Sequence, residues 1–411
     1  MVPCSGEITV RRNIFNTQFF PLLIPMKAVV FGGAGVVGSF AVQCLAKMET
    51  FSSITIADID EARAKTIAKA SKKIDFVRTD ATDDKSLQTS LKDADVAVNC
   101  VGPFYKFAPR ILKAALTKGI NYVDICDDYD ATLTLLDDYH TMAQKAGVTC
   151  IIGLGASPGL TNMIAAFGAN QLTNVREVKV FVARGIEEEA GGAIPYHMMH
   201  CWLGKIPIYR NGRFEKAQGL VDGEEYVTFP HPYGQVPCYY FGHPETVTIP
   251  RYIKGIQNVC CKGTFFPREF RDALVQIESL GMLSENPVTT AGTTIKPLDF
   301  TAGYINVVRK RIIEQVKNIP SGGTVIVRIA GDLDGEPKTF EFSGTSHMRE
   351  GTGTPVAVGA KMLAEGEIKS PGVYAPEGCI PPEDFVMNFM ALEGFGDVWL
   401  TTTQKMTGSS I

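Results

Sequence analysis

Residues 27–40 read "KAVVFGGAGVVGSF". A continuous apolar run meets a glycine cluster and then a segment with helical spacing of apolar residues. That is the pattern of a buried strand, a tight turn and a helix start. Gly33-Ala34-Gly35-Val36-Val37-Gly38 fits G-x-G-x-x-G. In that frame Gly33 permits the turn, Gly35 lets a pyrophosphate approach the backbone, and Gly38 lets helix and strand pack closely. The helix start at Val36 and Val37 offers N–H groups and a positive dipole end to phosphates. The bare glycine pattern is common. Its place between strand and helix makes it a dinucleotide-binding signal.

The second strand, "ITIAD", ends in Asp58, 20 residues after Gly38. A carboxylate there can accept from ribose hydroxyls and would repel a 2′-phosphate, which favours NAD. Arg63 on the next helix keeps NADP open. Strands and helices keep alternating: "DFVRTD" (75–80), "DVAVNC" (95–100), "NYVDIC" (121–126) and "VTCII" (148–152) are the remaining strands. Six strands with helical crossovers predict a doubly wound parallel sheet of order 3-2-1-4-5-6, a Rossmann domain over 26–153. Asp80 and Val101-Gly102-Pro103, at the ends of strands three and four, join the cofactor-binding candidates.

Beyond residue 173 the texture changes. "TVIVRIAGDLDGEPKTFEFSG" (324–344) reads as a hairpin around a turn, and 267–281, 304–319 and 354–368 read as helices. The Pro/Gly-rich 204–245 reads as loops and short strands. The expectation is an α+β catalytic, substrate and dimerisation domain over 154–354 with a mainly antiparallel sheet. A helix and tail (355–395) then return to the first domain. An N-terminal extension (1–25) and a C-terminal tail (396–411) flank the fold.

The chain has 411 residues, 45% hydrophobic and 20% charged, with net charge -4. This balance suits a soluble globular protein and argues against nucleic-acid or membrane partners. No run reaches the ~18 apolar residues of a spanning helix. The ten cysteines form no Cys-x-x-Cys pair, and several sit in strand-like runs, as in reduced thiols of a cytoplasmic protein. No metal-ligand spacing is visible. Short-chain dehydrogenases require Tyr-x-x-x-Lys, and no tyrosine here is followed four residues later by lysine. A Ser-centred hydrolase is set aside as well.

In a sheet of this order, ligands lie at the carboxyl ends of the strands. Oxidation of an amine needs an unprotonated nitrogen, because an ammonium has no lone pair to drive hydride departure. Asp127 or Asp128, after strand five, can bind the ammonium and take its proton, while the other caps the helix at 130–146. Tyr105 can orient substrate or relay a proton. Arg184, ending "EVKVFVAR", can hold a carboxylate. His197 and His200 share a helix face and are further substrate-binding candidates.

A second glycine loop, "GLGASPGLTNM" (153–163), follows strand six. It stands three strands from strand one, roughly 14 Å at ~4.8 Å per strand, and so is not a second nucleotide site. Pro158 suits a first helical turn and Ser157 its N-cap. The free N–H groups there would face the nicotinamide or a substrate carboxylate.

From residue 26 to 395 the sequence resembles the saccharopine dehydrogenase-like oxidoreductases, nearest to the lysine 6-dehydrogenase branch. "VFGGAGVVG", "ITIADIDEARA", "FYKF", "AGVTCIIGLGASPGLTNMIAAFGANQL", "YRNG" and "MLAEGEIKSPGVYAPE" carry the resemblance. It implies a homodimeric enzyme that uses NAD or NADP to oxidise the carbon–nitrogen bond of a lysine-type amino acid. A saccharopine reductase or carboxynorspermidine-type synthase, working in the imine-reducing direction, is the alternative. From another class, a non-catalytic NAD-binding sensor also fits the cofactor motif. "CDD" (126–128) and "ARGIEEEAGGAIPYHMMHCW" depart from the family pattern, so reaction type carries over better than substrate.

Overall fold

A computed structural model describes residues 25–188, 191–392 and 398–404. The N-terminal extension and most of the C-terminal tail lie outside the described residues. The first domain runs β1 (Met26–Phe31), α1 (Val36–Lys47), β2 (Phe51–Asp58), α2 (Glu61–Ala68), β3 (Ile74–Arg78), α3 (Asp84–Ser90), β4 (Val96–Asn99), α4 (Phe104–Lys118), β5 (Asn121–Asp124), α5 (Tyr129–Ala146) and β6 (Thr149–Ile151). The β1, β4 and β6 runs are almost wholly buried because helices cover both sheet faces.

The second domain opens with α6 (Leu160–Asn170), β7 (Asn174–Gly185) and α7 (Ile194–Cys201). The 204–245 stretch forms β8 (Lys205–Arg210), β9 (Arg213–Gln218), β10 (Glu225–Phe229) and β11 (Gly234–Phe241). Next come α8 (Pro244–Tyr252), β12 (Asn258–Phe266) and α9 (Arg268–Ser279), then the small hairpin β13 (Val288–Thr290) and β14 (Thr293–Ile295). α10 (Pro297–Gln315) precedes the long hairpin β15 (Gly323–Leu333) and β16 (Glu336–Ser346). β10-β11-β12-β7-β15-β16-β18 form one sheet, where β18 is Val398–Gln404; β8 pairs with β12 and β9 beside it. Pairing is antiparallel except between β12 and β7.

The chain then returns through α11 (Met348–Ala364), β17 (Gly372–Tyr374) and α12 (Pro382–Met390). The order of the first sheet is β17-β6-β5-β4-β1-β2-β3. Six strands stand in the expected order, and β17 adds a seventh, parallel to β6. "GVY" is too short to read as a strand alone and needs the edge of β6 to pair with. α11 begins at Met348, ahead of the predicted 354, because the glycines of "MREGTG" serve packing rather than a loop. A Cβ on Gly353 would lie 3.0 Å from Phe40 and 3.2 Å from Val37 O, so α11 lies tight on α1.

Candidate active site

The first glycine loop turns one residue earlier than expected. Gly32 holds the positive φ (+71°), and a Cβ there would meet Cys100 O at 2.9 Å. Gly33 instead packs on β1 and β2, where a Cβ would lie 2.9 Å from Val30 O, and it does not line the cavity. Gly35 is the N-cap of α1, with no side-chain cap and no acidic residue in the first turn. A Cβ on Gly38 would lie 2.1 Å from Gly32 O. The loop is thus a backbone cradle under an uncapped helix start, which suits a pyrophosphate.

That cradle forms one end of a cavity of about 690 Å³ reaching into the second domain. Gly35, Val36, Val37, Gly38, Asp58, Asp80, Val101, Gly102 and Pro103 all line it. Asp58 accepts from Ala34 N (2.9 Å) and Asp60 N (3.0 Å), which fixes its carboxylate at the rim. Asp80 is bonded by both the hydroxyl and the N–H of Thr82, which hold its carboxyl below the ordinary range.

The two adjacent carboxylates after β5 divide their roles. Asp127 lines the cavity, whereas Asp128 is fully buried behind it. Asp128 occupies the N-cap position of α5 but makes no side-chain cap bond. Its oxygens accept from Tyr105 N (3.0 Å) and pair with His197 Nδ1 (2.9 Å). The same Nδ1 lies 3.2 Å from Asp127. Burial raises both carboxyls; for Asp128 the His197 bond and charge outweigh it and the carboxyl ends below its usual range, while Asp127 stays raised. Burial pulls the His197 imidazole down, but the two carboxylates more than reverse this and raise it. Adjacent carboxyls pushed apart in this way can serve as an acid–base pair.

Arg184 lines the cavity at the end of β7. Its Nη2 meets the Met348 sulfur at 2.9 Å, and Glu188 lies 4.0 Å away. A half-buried guanidinium with so weak a set of partners among the described residues is suited to an incoming carboxylate. Arg309, also at the cavity, donates Nη1 to Ile186 O and Glu188 O, and its Nε has no partner among the described residues.

Tyr105 and His200 do not line the cavity. Tyr105 supplies its backbone N–H to Asp128, while its ring packs 4.9 Å from that of His200. His200 pairs with Asp130 (2.9 Å). One helical face carries both histidines, yet the cavity ends between them.

The second glycine loop also departs from expectation. Ser157–Pro158 is cis, and α6 starts later, with Gly159 as N-cap at φ +122°. Gly155, Leu160 and Thr161 donate their N–H groups to carbonyls within the loop, and Gly159 donates to Asn162 Oδ1. These N–H groups are therefore not offered to a ligand. Ser157, which lines the cavity, instead donates to Glu245 Oε1 at 2.5 Å.

Three features escape the sequence reading. Asp124, fully buried, accepts from Tyr122 Oη and from the N–H groups of Cys126 and Gly153, tying the two loops that form the cavity floor; burial pushes its carboxyl up to about 6. His243 and Glu245 open α8 from a stretch read as loops. The signal that could have found them, and that setting aside a Ser-centred hydrolase for want of a Gly-x-Ser-x-Gly overlooked, is Gly155-Ala156-Ser157-Pro158-Gly159, which is such a motif between strand and helix. Geometry excludes a hydrolytic triad there. Ser157 Oγ (3.3 Å) and Glu245 Oε2 (2.6 Å) both meet Nδ1 of His243, whereas a triad places them on opposite ring nitrogens.

The fold also gathers Asp128, His197 and Cys201, and His243, Glu245 and Cys261, into two clusters with metal-ligating atoms. In each, the histidine is bonded directly to the carboxylate.

Family models place the chain among known proteins. A model described as the saccharopine dehydrogenase NADP binding domain matches residues 29–151, and one described as the saccharopine dehydrogenase C-terminal domain matches 155–394. A carboxyaminopropylagmatine dehydrogenase from Synechocystis is 23% identical, over 87% of this chain and 94% of its own. A carboxynorspermidine synthase from Vibrio cholerae is 21% identical (87% and 93%), and a glutamate-forming saccharopine dehydrogenase from Saccharomyces cerevisiae 22% (85% and 94%). The solved apo structure of the glutamate-forming S. cerevisiae saccharopine dehydrogenase superposes with a TM-score of 0.66 at 17% identity, covering 92% of this chain and all of that one.

Proposed function

The chain belongs to the saccharopine dehydrogenase family, and on that premise we propose that it oxidises the carbon–nitrogen bond of a lysine-type amino acid with NAD(P). One observation carries the reading: the Asp127–His197 pair and the under-partnered Arg184 share one cavity with the glycine cradle. The cradle fits a dinucleotide, because a Cβ at Gly35 or Gly38 would crowd the loop that Gly32 opens. When bound, the nicotinamide supplies hydride transfer.

The chain's own residues do the rest. Arg184 holds the substrate carboxylate and so aims its amine toward Asp127. Asp127 removes the ammonium proton, which frees the nitrogen lone pair. His197 shares that proton, and Asp128 keeps the ring oriented. In the imine-reducing direction, the one suggested by the relative named carboxynorspermidine synthase, the same pair returns the proton to nitrogen.

The test is a panel of amino acids, lysine and saccharopine among them, followed by reduced-nicotinamide absorbance in both directions. Cofactor-dependent turnover of at least one member is expected. Silence in both directions despite tight cofactor binding would overturn the reading in favour of a sensor.

A further inference from the structure

His243 is at the cavity but has no part in the steps above. Its Nδ1 lies 2.6 Å from Glu245 Oε2 and 3.3 Å from Ser157 Oγ. Glu245 is fully buried and also accepts from Ser157 (2.5 Å), Thr161 (2.6 Å) and the Cys261 thiol (3.9 Å). Burial opposes its charge, but the pairing with His243 and the Ser157 and Thr161 hydroxyls win, and the carboxyl lies below its ordinary range. An ionised Glu245 fixes the tautomer of His243. Nδ1 carries the proton toward the carboxylate, and Nε2 is left as the basic nitrogen. The Phe241 ring, 5.1 Å away, and the His197 ring, 5.7 Å away, hold the imidazole in place.

We propose that His243 is a second proton carrier of this active site, with Glu245 as its positioning residue, and that it serves the water step of a secondary-amine substrate. This rests on the oxidoreductase reading above. Oxidation of a secondary amine leaves an imine, which must take up water before the carbonyl and amine products separate. Asp127 has already accepted the amine's first proton and passed it on through His197. As the water oxygen bonds to the imine carbon, His243 Nε2 takes a water proton and the C=N π pair moves to nitrogen. His243 then returns that proton to nitrogen as the C–N bond breaks. The bonding pair leaves with the amine, the C=O forms, and the hydroxyl proton goes to Asp127 and from there to the free amine. The sum is amine, NAD(P)⁺ and water giving carbonyl, amine, NAD(P)H and a proton. The titratable groups around His243 are Glu245 on α8, Cys261 behind it on β12, His197 on α7 and Asp127 after β5, with the Ser157 hydroxyl beside them.

The test uses the full chain and saccharopine, or whichever secondary-amine amino acid the wild type oxidises, with rapid mixing. His243→Asn is expected to keep a burst of about one equivalent of reduced nicotinamide per site at near wild-type rate. Its steady-state turnover should fall on the order of a hundredfold, with imine trapped as deuterium-labelled secondary amine on quenching with cyanoborodeuteride. Glu245→Gln should keep the burst and give a smaller loss of steady-state turnover, since the imidazole loses the carboxylate that orients it. An unchanged His243→Asn, a burst slowed as much as turnover, or a wild type that oxidises only primary amines would each overturn the assignment. A wild type that oxidises nothing would instead sink the underlying function.

Discussion

His197 Nδ1 lies 2.9 Å from Asp128 Oδ1, a bond that joins α7 of the second domain to the start of α5 in the first. Asp128 faces no part of the cavity, while Asp127 does. Substitution should therefore separate the two neighbours. Asp127→Asn removes the proton acceptor and should lower kcat/KM by about two to four orders of magnitude. Asp128→Asn should cost on the order of tenfold and shift the His197 limb of the pH profile to lower pH. The sign follows from the raised His197 imidazole, which falls back when one supporting carboxylate is neutralised. Near-normal turnover in both variants would remove Asp127 as the base.

The cradle glycines should fail in different ways. At Gly38 a Cβ would sit 2.1 Å from Gly32 O, a backbone clash that only a shift of α1 or the loop can relieve. Gly38→Ala should lose stability and cofactor together. At Gly35 the contact is 3.1 Å and the residue lines the cavity. Gly35→Ala should weaken nicotinamide binding about tenfold or more with little change in melting temperature. Nicotinamide fluorescence titration beside thermal melts separates the two.

Much of this site could be read along the chain where one element supplies both signal and position. Gly35, Gly38 and Asp127 each follow a strand, and Asp58 ends one, whose order in the sheet is set by local alternation. What escaped depends on contacts between distant segments. Tyr105 follows the right strand, but the direction of α4 turns its phenol outside the cavity. His243 and Glu245 stand 86 and 88 residues from the Ser157 they meet. Gly32 escaped because two adjacent glycines leave the turn position ambiguous until the backbone is seen. β17 has only three residues and no periodicity of its own.

Asp58 sets the expected cofactor preference. Its carboxylate lines the cavity, held there by Ala34 N and Asp60 N. It would repel the extra phosphate of NADP, so NAD should bind more tightly. Asp58→Asn keeps an oxygen for the Ala34 N–H while removing the charge. It should narrow the NAD to NADP affinity ratio by about tenfold, the scale of one partly screened charge contact. Equal wild-type affinities, or a ratio unmoved by the substitution, would remove Asp58 as the discriminator.

Glu377 gives the fold a pH dependence of its own. It lies in the turn Pro376–Gly378, where Oε1 accepts from Asn162 Nδ2 (2.9 Å) and buried Oε2 has no hydrogen-bond partner among the described residues. Burial pushes its carboxyl from 4.5 up to about 7. A carboxyl raised on folding favours the folded state fully below its unfolded value. That contribution is lost as pH rises toward the folded value and stays lost above it. The loss amounts to about 3 kcal/mol between roughly pH 4.5 and pH 7. Asp124, raised to about 6, adds a loss of the same sign. Glu377→Gln keeps the acceptor for Asn162 and cannot ionise. Urea unfolding should show wild-type stability falling from about pH 5 to about pH 8, and the variant falling distinctly less. The variant should be the more stable of the two at the alkaline end. Parallel curves for the two proteins would mean that Glu377 ionises freely in the folded chain.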